Sequence, residues 1–237
     1  MEDYNSETLD AFHALAPAGM GIVSGVGGIF ECTWQLMGFE NFISKFADDF
    51  EFVEMMFHKI SGLFYESFKK TVTEKRFVKG MWYSDDIAYT GGLFISPSIL
   101  RRYLVPFIKR LGDLCRHNGL LFFYHSDGNI EPLIPDLISA GVQVLHPIEP
   151  KAMDIKVLKK RYGKNLSFMG NIDLGYTLTR GTPFEVQEEV KSRIRDIAPG
   201  GGYILGSSNS ITNYVPLDNY RALIETRNKY GHYPITL

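Results

Sequence analysis

Polar and apolar positions alternate in blocks along this chain. Short apolar runs stop at polar or glycine-bearing knots, and each is followed by apolar residues at three- and four-residue spacing, the pattern of strand, loop and helix in turn. The sharpest example is Leu120 to Ile134, LLFFYHSDGNIEPLI. Its apolar run, Leu120 to Tyr124, ends at His125-Ser126-Asp127-Gly128-Asn129. Helical spacing then resumes through Ile130, Leu133, Ile134, Leu137 and Ile138, with Pro132 in the opening turn. This predicts a buried parallel strand, a tight loop and a helix opening at Ile130.

Five further units repeat the theme. Residues 1–19 read as a lead-in or short helix, and Met20 to Phe30 as a glycine-laced strand and its loop. Helices are predicted over Thr33 to Lys45 and Phe50 to Lys70, the second with an apolar stripe through Phe52, Met55, Met56, Ile60, Leu63, Phe64 and Phe68. A second strand, Phe77 to Tyr83, runs into Ser84-Asp85-Asp86. Ser96-Pro97 starts a helix that reaches His117 and closes at Asn118-Gly119. After the knot at His125 come a strand from Gly141 to His146 with a helix from Asp154 to Tyr162. A strand from Asn165 to Gly170 follows, ending at Asn171-Ile172-Asp173, with a helix capped by Thr182-Pro183-x-Glu185. Tyr203 to Leu205 and the helix from Pro216 to Tyr230 complete the count. Six strand-helix units in strict alternation, with no composition break, predict an α/β domain over 20–237 with a parallel sheet. A closed (β/α) barrel needs eight strands, so the barrel reading is of an incomplete TIM-type barrel with about six units of eight. A doubly wound sheet is the structural alternative, but Gly25, Gly27 and Gly28 lack the GxGxxG spacing of a dinucleotide-binding turn.

Composition narrows the setting. The 237 residues are 45% hydrophobic and 14% aromatic with a formal net charge of -2, which gives no electrostatic case for nucleic acid or an anionic membrane. No apolar run approaches the roughly 20 residues of a membrane span. The acidic start, MEDYNSETLDAF, does not read as a signal peptide. Two cysteines, Cys32 and Cys115, are too few for a disulfide framework and too far apart for a zinc knuckle. The expectation is a cytoplasmic protein with a small-molecule substrate.

The stretches GGIFECTWQLMGFENFI, SDDIAYTGGLFISPSILRRYLVPFIKRL, FYHSDGNIEPLIPDLISAGVQVLHPIEP, MGNIDLG and APGGGYILGSSNSITNYVPLDN resemble, in order, the uroporphyrinogen decarboxylase-like superfamily, which includes the methylcobalamin:coenzyme M methyltransferases. The resemblance implies a (β/α)8 barrel with its site at the carboxyl ends of the strands, abbreviated here before residue 20. It also implies that the decarboxylase's arginine-rich segment and pyrrole-binding aspartate belong to that abbreviated part, and that its C-terminal active-site histidine falls at Asn209. The methyltransferases hold zinc through a His-x-Cys motif and a distant cysteine; this chain has His125, Asp127 and Asn209 at those positions, without either thiol.

Position after a strand marks the candidate residues. As catalytic groups stand His125, a proton donor or weak metal ligand; Asp127, a carboxylate able to accept from substrate N–H groups; and Asp86. Asp127 could instead cap the helix at Ile130 or hold the turn at Gly128-Asn129. Neighbouring side chains on an extended segment point oppositely, so only one of Asp85 and Asp86 faces the mouth; the resemblance favours Asp86, which is closer to the family's active-site position. Repulsion between it and Asp127 would raise one carboxylate's pKa. Substrate-binding candidates are Asn129, Asn171, Asp173, Ser208 and Asn209, the last two in a Ser207–Ser210 loop suited to an anionic group. Glu31 and His146 sit at further strand ends. By resemblance the leading expectation is a decarboxylase acting on a carboxylated tetrapyrrole-type substrate, without metal or organic cofactor. Zinc-assisted methyl transfer from a corrinoid is the alternative, and a catalytically inactive binding or scaffold barrel is a third. The flank left by two absent units is expected to be covered by residues 1–19 or by a second subunit in a homodimer.

Overall fold

A computed structural model describes residues 6–237, and these fall into two compact units. The first comprises the described residues up to 87 with 93–126 and 132–143. The second comprises 88–92, 127–131 and 144–237. Residues 1–5 of the expected lead-in lie outside the described residues; 6–15 form its helix.

In chain order the first unit contains α1 (Ser6–Leu15), β1 (Ile22–Gly27), α2 (Ile29–Met37), α3 (Phe39–Asp48), α4 (Phe50–Glu74), β2 (Val78–Ser84), α5 (Pro97–Tyr103), α6 (Val105–His117), β3 (Leu121–His125) and α7 (Ile134–Ser139). Strands β1, β2 and β3 are neighbours in that order and run parallel. Met81, Tyr83, Phe122 and Tyr124 are fully buried between sheet and helices. Helix α4 buries Val53, Phe57, Ile60, Phe68 and Val72, with the Phe68 ring edge-on to Phe122 at 6.1 Å. This alternation of a buried strand with an amphipathic helix is what the sequence pattern requires.

Two local departures have clear causes. The helix expected from Ser96 to His117 breaks at Leu104. Pro106 has no N–H to offer the Arg102 carbonyl, so the chain restarts as α6 with proline in its first turn. The helix after the His125 knot begins at Ile134, with Leu133 as its N-cap residue and no side-chain cap. Asp127 therefore does not cap a helix at Ile130.

The second unit contains β4 (Val144–His146), α8 (Ile155–Tyr162), β5 (Ser167–Ile172), α9 (Thr177–Arg180), α10 (Pro183–Ile197), β6 (Tyr203–Ser207) and α11 (Leu217–Tyr230). Its three strands are again parallel and adjacent in chain order. Val186, Val190 and Ile194 of α10 and Ala222 and Leu223 of α11 pack with Ile172 and Leu178 in one core. The capping box read from Thr182 and Glu185 is formed: the Thr182 hydroxyl accepts from the Glu185 N–H, and the Glu185 carboxylate accepts from the Thr182 N–H at 2.7 Å. Asp154 caps α8 by accepting from the Lys156 N–H at 2.8 Å. The six strands and their helices are the six units counted in the sequence.

Candidate functional site

In the first unit the parallel register sets Gly27, Ser84 and His125 level at the carboxyl ends of β1, β2 and β3. The residues that follow these ends gather Glu31, Asp85, Asp86 and His125. Asp85 and Asp86 take opposite roles, as their adjacency on an extended segment dictates. Asp85 turns inward and is 0% exposed. Its carboxylate accepts from the Phe30 N–H at 3.1 Å and the Glu31 N–H at 2.8 Å, so it caps the start of α2 from 54 residues away. The Tyr83 hydroxyl donates to it at 2.7 Å and itself accepts from the Ile29 N–H at 3.0 Å.

Burial pushes the Asp85 carboxyl up to about 7 against the pull of the Glu31 N–H, the Tyr83 hydroxyl and the Phe30 N–H. The helix-capping carboxyl is thus raised by desolvation, where the sequence suggested repulsion between Asp86 and Asp127. Asp86 faces the other way: its Oδ1 lies 3.6 Å from His125 Nε2. The imidazole also stacks on the Trp82 indole at a centroid distance of 6.0 Å. Glu31, which accepts from the Gln35 amide at 2.9 Å, is held above the usual carboxylate range by burial first and the Asp86 charge second. The first unit thereby brings together two of the candidate residues, His125 and Asp86. It adds Glu31, which adjacency to a strand end had placed at a mouth without assigning it a partner.

In the second unit Asp127 Oδ2 accepts from Asn209 Nδ2 at 2.7 Å, across 82 residues of sequence. The turn between His125 and α7 is fixed independently. Asn129 Oδ1 accepts from the Glu131 N–H at 3.1 Å, and the Asn129 N–H donates to the Tyr89 carbonyl at 2.9 Å. Gly128 sits at φ 80°, and a Cβ there would lie 2.6 Å from the backbone of Ala88 and Tyr89; only glycine fits. Asn171, 1% exposed, donates from Nδ2 to the Ile148 carbonyl at 2.8 Å, so it braces the loop after β4. Asp173 accepts from the Gly175 and Tyr176 N–H groups at 2.8 and 3.1 Å, and Ser208 Oγ accepts from the Leu174 N–H at 3.0 Å.

Asp173, Ser208 and Asn209 line a cleft of about 370 Å³ with Glu149, Lys151 and Thr212. Sequence reasoning missed Glu149 and Lys151, because the loop after β4 carries no periodicity; their place directly behind a strand was the available signal.

In the first unit His125 and Asp86 offer ligand atoms that could serve a metal ion. The thiols do not fit that role. Cys115 is buried on α6, and burial pushes it up to about 12. Cys32, on α2, is raised by burial and then by the Asp85 and Glu31 charges. A zinc-binding sulfur needs the opposite environment, one that favours thiolate.

The fold, six parallel strands each followed by helix, is that of part of a TIM-type barrel. It is similar to a methyltransferase from Methanosarcina mazei, with a TM-score of 0.75 and 19% identity over 93% of this chain and 62% of that one. The uroporphyrinogen decarboxylase (URO-D) profile matches residues 4–230, and the chain belongs to that family. The chain is also similar to the methylcobamide:CoM methyltransferase MtaA of Methanosarcina barkeri, 26% identical over 136 residues, which is 57% of this chain and 38% of that protein. It thus spans less than two thirds of the length of both relatives. Among the described residues no helix is long and apolar enough to cross a membrane.

Proposed function

We propose that this chain carries the acid–base centre of an enzyme that decarboxylates a carboxylated, tetrapyrrole-type substrate. The observation that supports this most directly is His125 Nε2 standing 3.6 Å from the Asp86 carboxylate at the carboxyl end of its strand. A carboxylate at that range can orient an imidazole that hands over a proton. In the reaction His125 transfers that proton to the ring carbon bearing the carboxylate arm, and the ring becomes a cationic electron sink. The carbon–carbon bond to the departing carboxylate then breaks, releasing carbon dioxide, and its electron pair neutralises the ring. A second proton, from Glu31, converts the resulting exocyclic methylene to a methyl group, and the ring carbon returns its own proton to His125, which restores the aromatic pyrrole with one proton consumed overall. In the second unit Asp127, anchored through Oδ2 by Asn209, is suited to accept from the N–H groups of a ligand.

The similarity to two methyltransferases favours a second reading, methyl transfer at a thiolate-ligated zinc. The donor set argues against it: a carboxylate and an amide stand where that site needs sulfur, and both thiols lie in environments that keep them protonated. No step is assigned to zinc. The purified protein should release carbon dioxide from uroporphyrinogen and leave methylcobalamin unchanged in the presence of coenzyme M. Demethylation of the corrinoid without carbon dioxide release would reverse the two readings.

A further inference from the structure

The sheet of the first unit carries a stack of rings that the proposed chemistry leaves unexplained. Register sets Trp82 opposite Phe123 and Ser84 opposite His125 on neighbouring parallel strands, and alternation puts Gly80, Trp82, Phe123 and His125 on one face. The Trp82 indole lies on the Phe123 ring at a centroid distance of 5.7 Å and an interplanar angle of 16°. It stacks likewise on the His125 imidazole, at 6.0 Å and 27°. Two glycines leave the room this takes. A Cβ at Gly80 would lie 2.7 Å from the Phe123 ring. One at Gly25, opposite Trp82 on β1, would lie 3.3 Å from Trp82 Cβ and 3.2 Å from its carbonyl oxygen.

A carboxylate beside an imidazole constrains it at one nitrogen. Asp86 Oδ1 stands 3.6 Å from His125 Nε2, while the χ2 torsion that turns the imidazole has a broad, shallow preference. The ring plane needs a second constraint, and a flat aromatic face against it supplies one. We propose that Trp82 is a positioning residue for His125: its indole, itself backed by Phe123 across Gly80, fixes the plane in which the imidazole hands over its proton. The inference rests on the reading of His125 as the proton donor, and it adds a residue that acts through the imidazole. It also accounts for the two glycines. A side chain at Gly80 would push on Phe123, and one at Gly25 would push on Trp82, so either would disturb the ring on which His125 stacks.

The test compares Trp82→Phe, which keeps an aromatic face, with Trp82→Leu, which fills space without one. Gly80→Ala is added because it presses on Phe123 and leaves Trp82 and His125 unaltered. Histidine rings of the intact protein are labelled with carbon-13, and the His125 signal is identified by its loss in His125→Asn. The ring current of the indole should displace that signal from the position of a free histidine. The displacement should persist in reduced form in Trp82→Phe and in Gly80→Ala, and vanish in Trp82→Leu. In carbon dioxide release from uroporphyrinogen, Trp82→Leu should lose about 10-fold to 100-fold in kcat at an unchanged KM, and Trp82→Phe should return to within about threefold of wild type, the scale for a misaligned and a realigned group. Should Trp82→Leu fail to fold, Gly80→Ala decides by the same two readings. A His125 signal that is the same in Trp82→Leu as in wild type, or a kcat in Trp82→Phe no better than in Trp82→Leu, overturns the proposal. An unmoved signal in a protein that does release carbon dioxide removes the positioning role alone. A signal that moves as stated in a protein that releases none keeps Trp82 as the residue that sets the imidazole plane and removes the decarboxylase reading instead.

Discussion

Asn209 Nδ2 donates to Asp127 Oδ2 at 2.7 Å, joining the loop after β6 to the knot at the end of β3. The same amide accepts from the Ser210 N–H through Oδ1 at 2.6 Å, so both its ends are fixed. Asn209 is therefore a positioning residue for the Asp127 carboxylate.

Asn209→Ala should lower turnover roughly 10-fold, the scale for loosening a carboxylate that acts through its orientation, while the melting temperature changes little. Asn209→Asp should do worse on both counts, because it sets one carboxylate against another. Paired thermal melts and rate measurements on the two variants check this. Equal activity in wild type and Asn209→Ala would remove Asn209 from the functional account.

Asp85 is assigned to stability. Asp85→Ala strands the Phe30 and Glu31 N–H groups and the Tyr83 hydroxyl, and should cost about 2–4 kcal/mol. That lowers the melting temperature by roughly 5–15 °C. Its pH signature is distinct. The carboxyl is pushed up to about 7 in the folded protein from an ordinary value of 3.8. Between those values the folded state holds a proton that the unfolded state has released. The Asp85 contribution is therefore complete below about 4, declines as pH rises towards 7, and is level above that. Chemical denaturation across this range should show the decline in wild type and lose it in Asp85→Asn; an unchanged slope in Asp85→Asn would place the titration elsewhere.

Gly28 is required because a Cβ there would lie 2.0 Å from Cγ of Asp85. Gly28→Ala must displace the carboxylate that caps α2, so it should destabilise the fold by at least as much as Asp85→Ala, and the two losses should not add. Additive losses in the double variant, measured by denaturant titration, would show that the two residues act independently.

Much of the fold was legible because each unit announces itself locally. The Thr182-Pro183-x-Glu185 box, the Ser96-Pro97 start and the apolar runs ending at Ser84 and His125 all form elements where the pattern puts them. Strand alternation set the side chains of Asp85 and Asp86 apart, and the family resemblance, not a local signal, favoured Asp86 of the two. The destination of Asp85 was not legible, because its partners lie 54 and 55 residues upstream at the start of α2. Asp127 was read in part as a cap or turn residue; its contact with Asn209 is too long-range for any spacing rule. The break at Leu104 was within reach, since Pro106 forbids a continuous helix, but the apolar periodicity across it masks the interruption. Lys151 and Thr212 stay hidden for another reason: a cleft built from three loops has no period at all.

The thiols give a test of the metal question that does not depend on turnover. Cys115 should resist a thiol-reactive disulfide reagent until the protein unfolds, because burial pushes it up to about 12. Cys32, raised by burial and by neighbouring carboxylates, should react more slowly than a free cysteine at pH 8. Replacing both with serine should leave the metal content after dialysis unchanged. Stoichiometric zinc lost in the Cys32→Ser variant would contradict the donor-set reading.

The central claim is that His125, beside Asp86, is the proton donor, and the most direct measurement is carbon dioxide release from uroporphyrinogen by wild type, His125→Asn and Asp86→Asn across pH. Both variants should fold with near-native melting temperatures. His125→Asn should lose roughly 100-fold or more in rate, the scale for removing a general acid. Asp86→Asn, which takes away the carboxylate 3.6 Å from the imidazole, should lose roughly 10-fold, the scale for loosening a group that acts through its orientation. Wild-type rates in both variants at every pH would contradict the account.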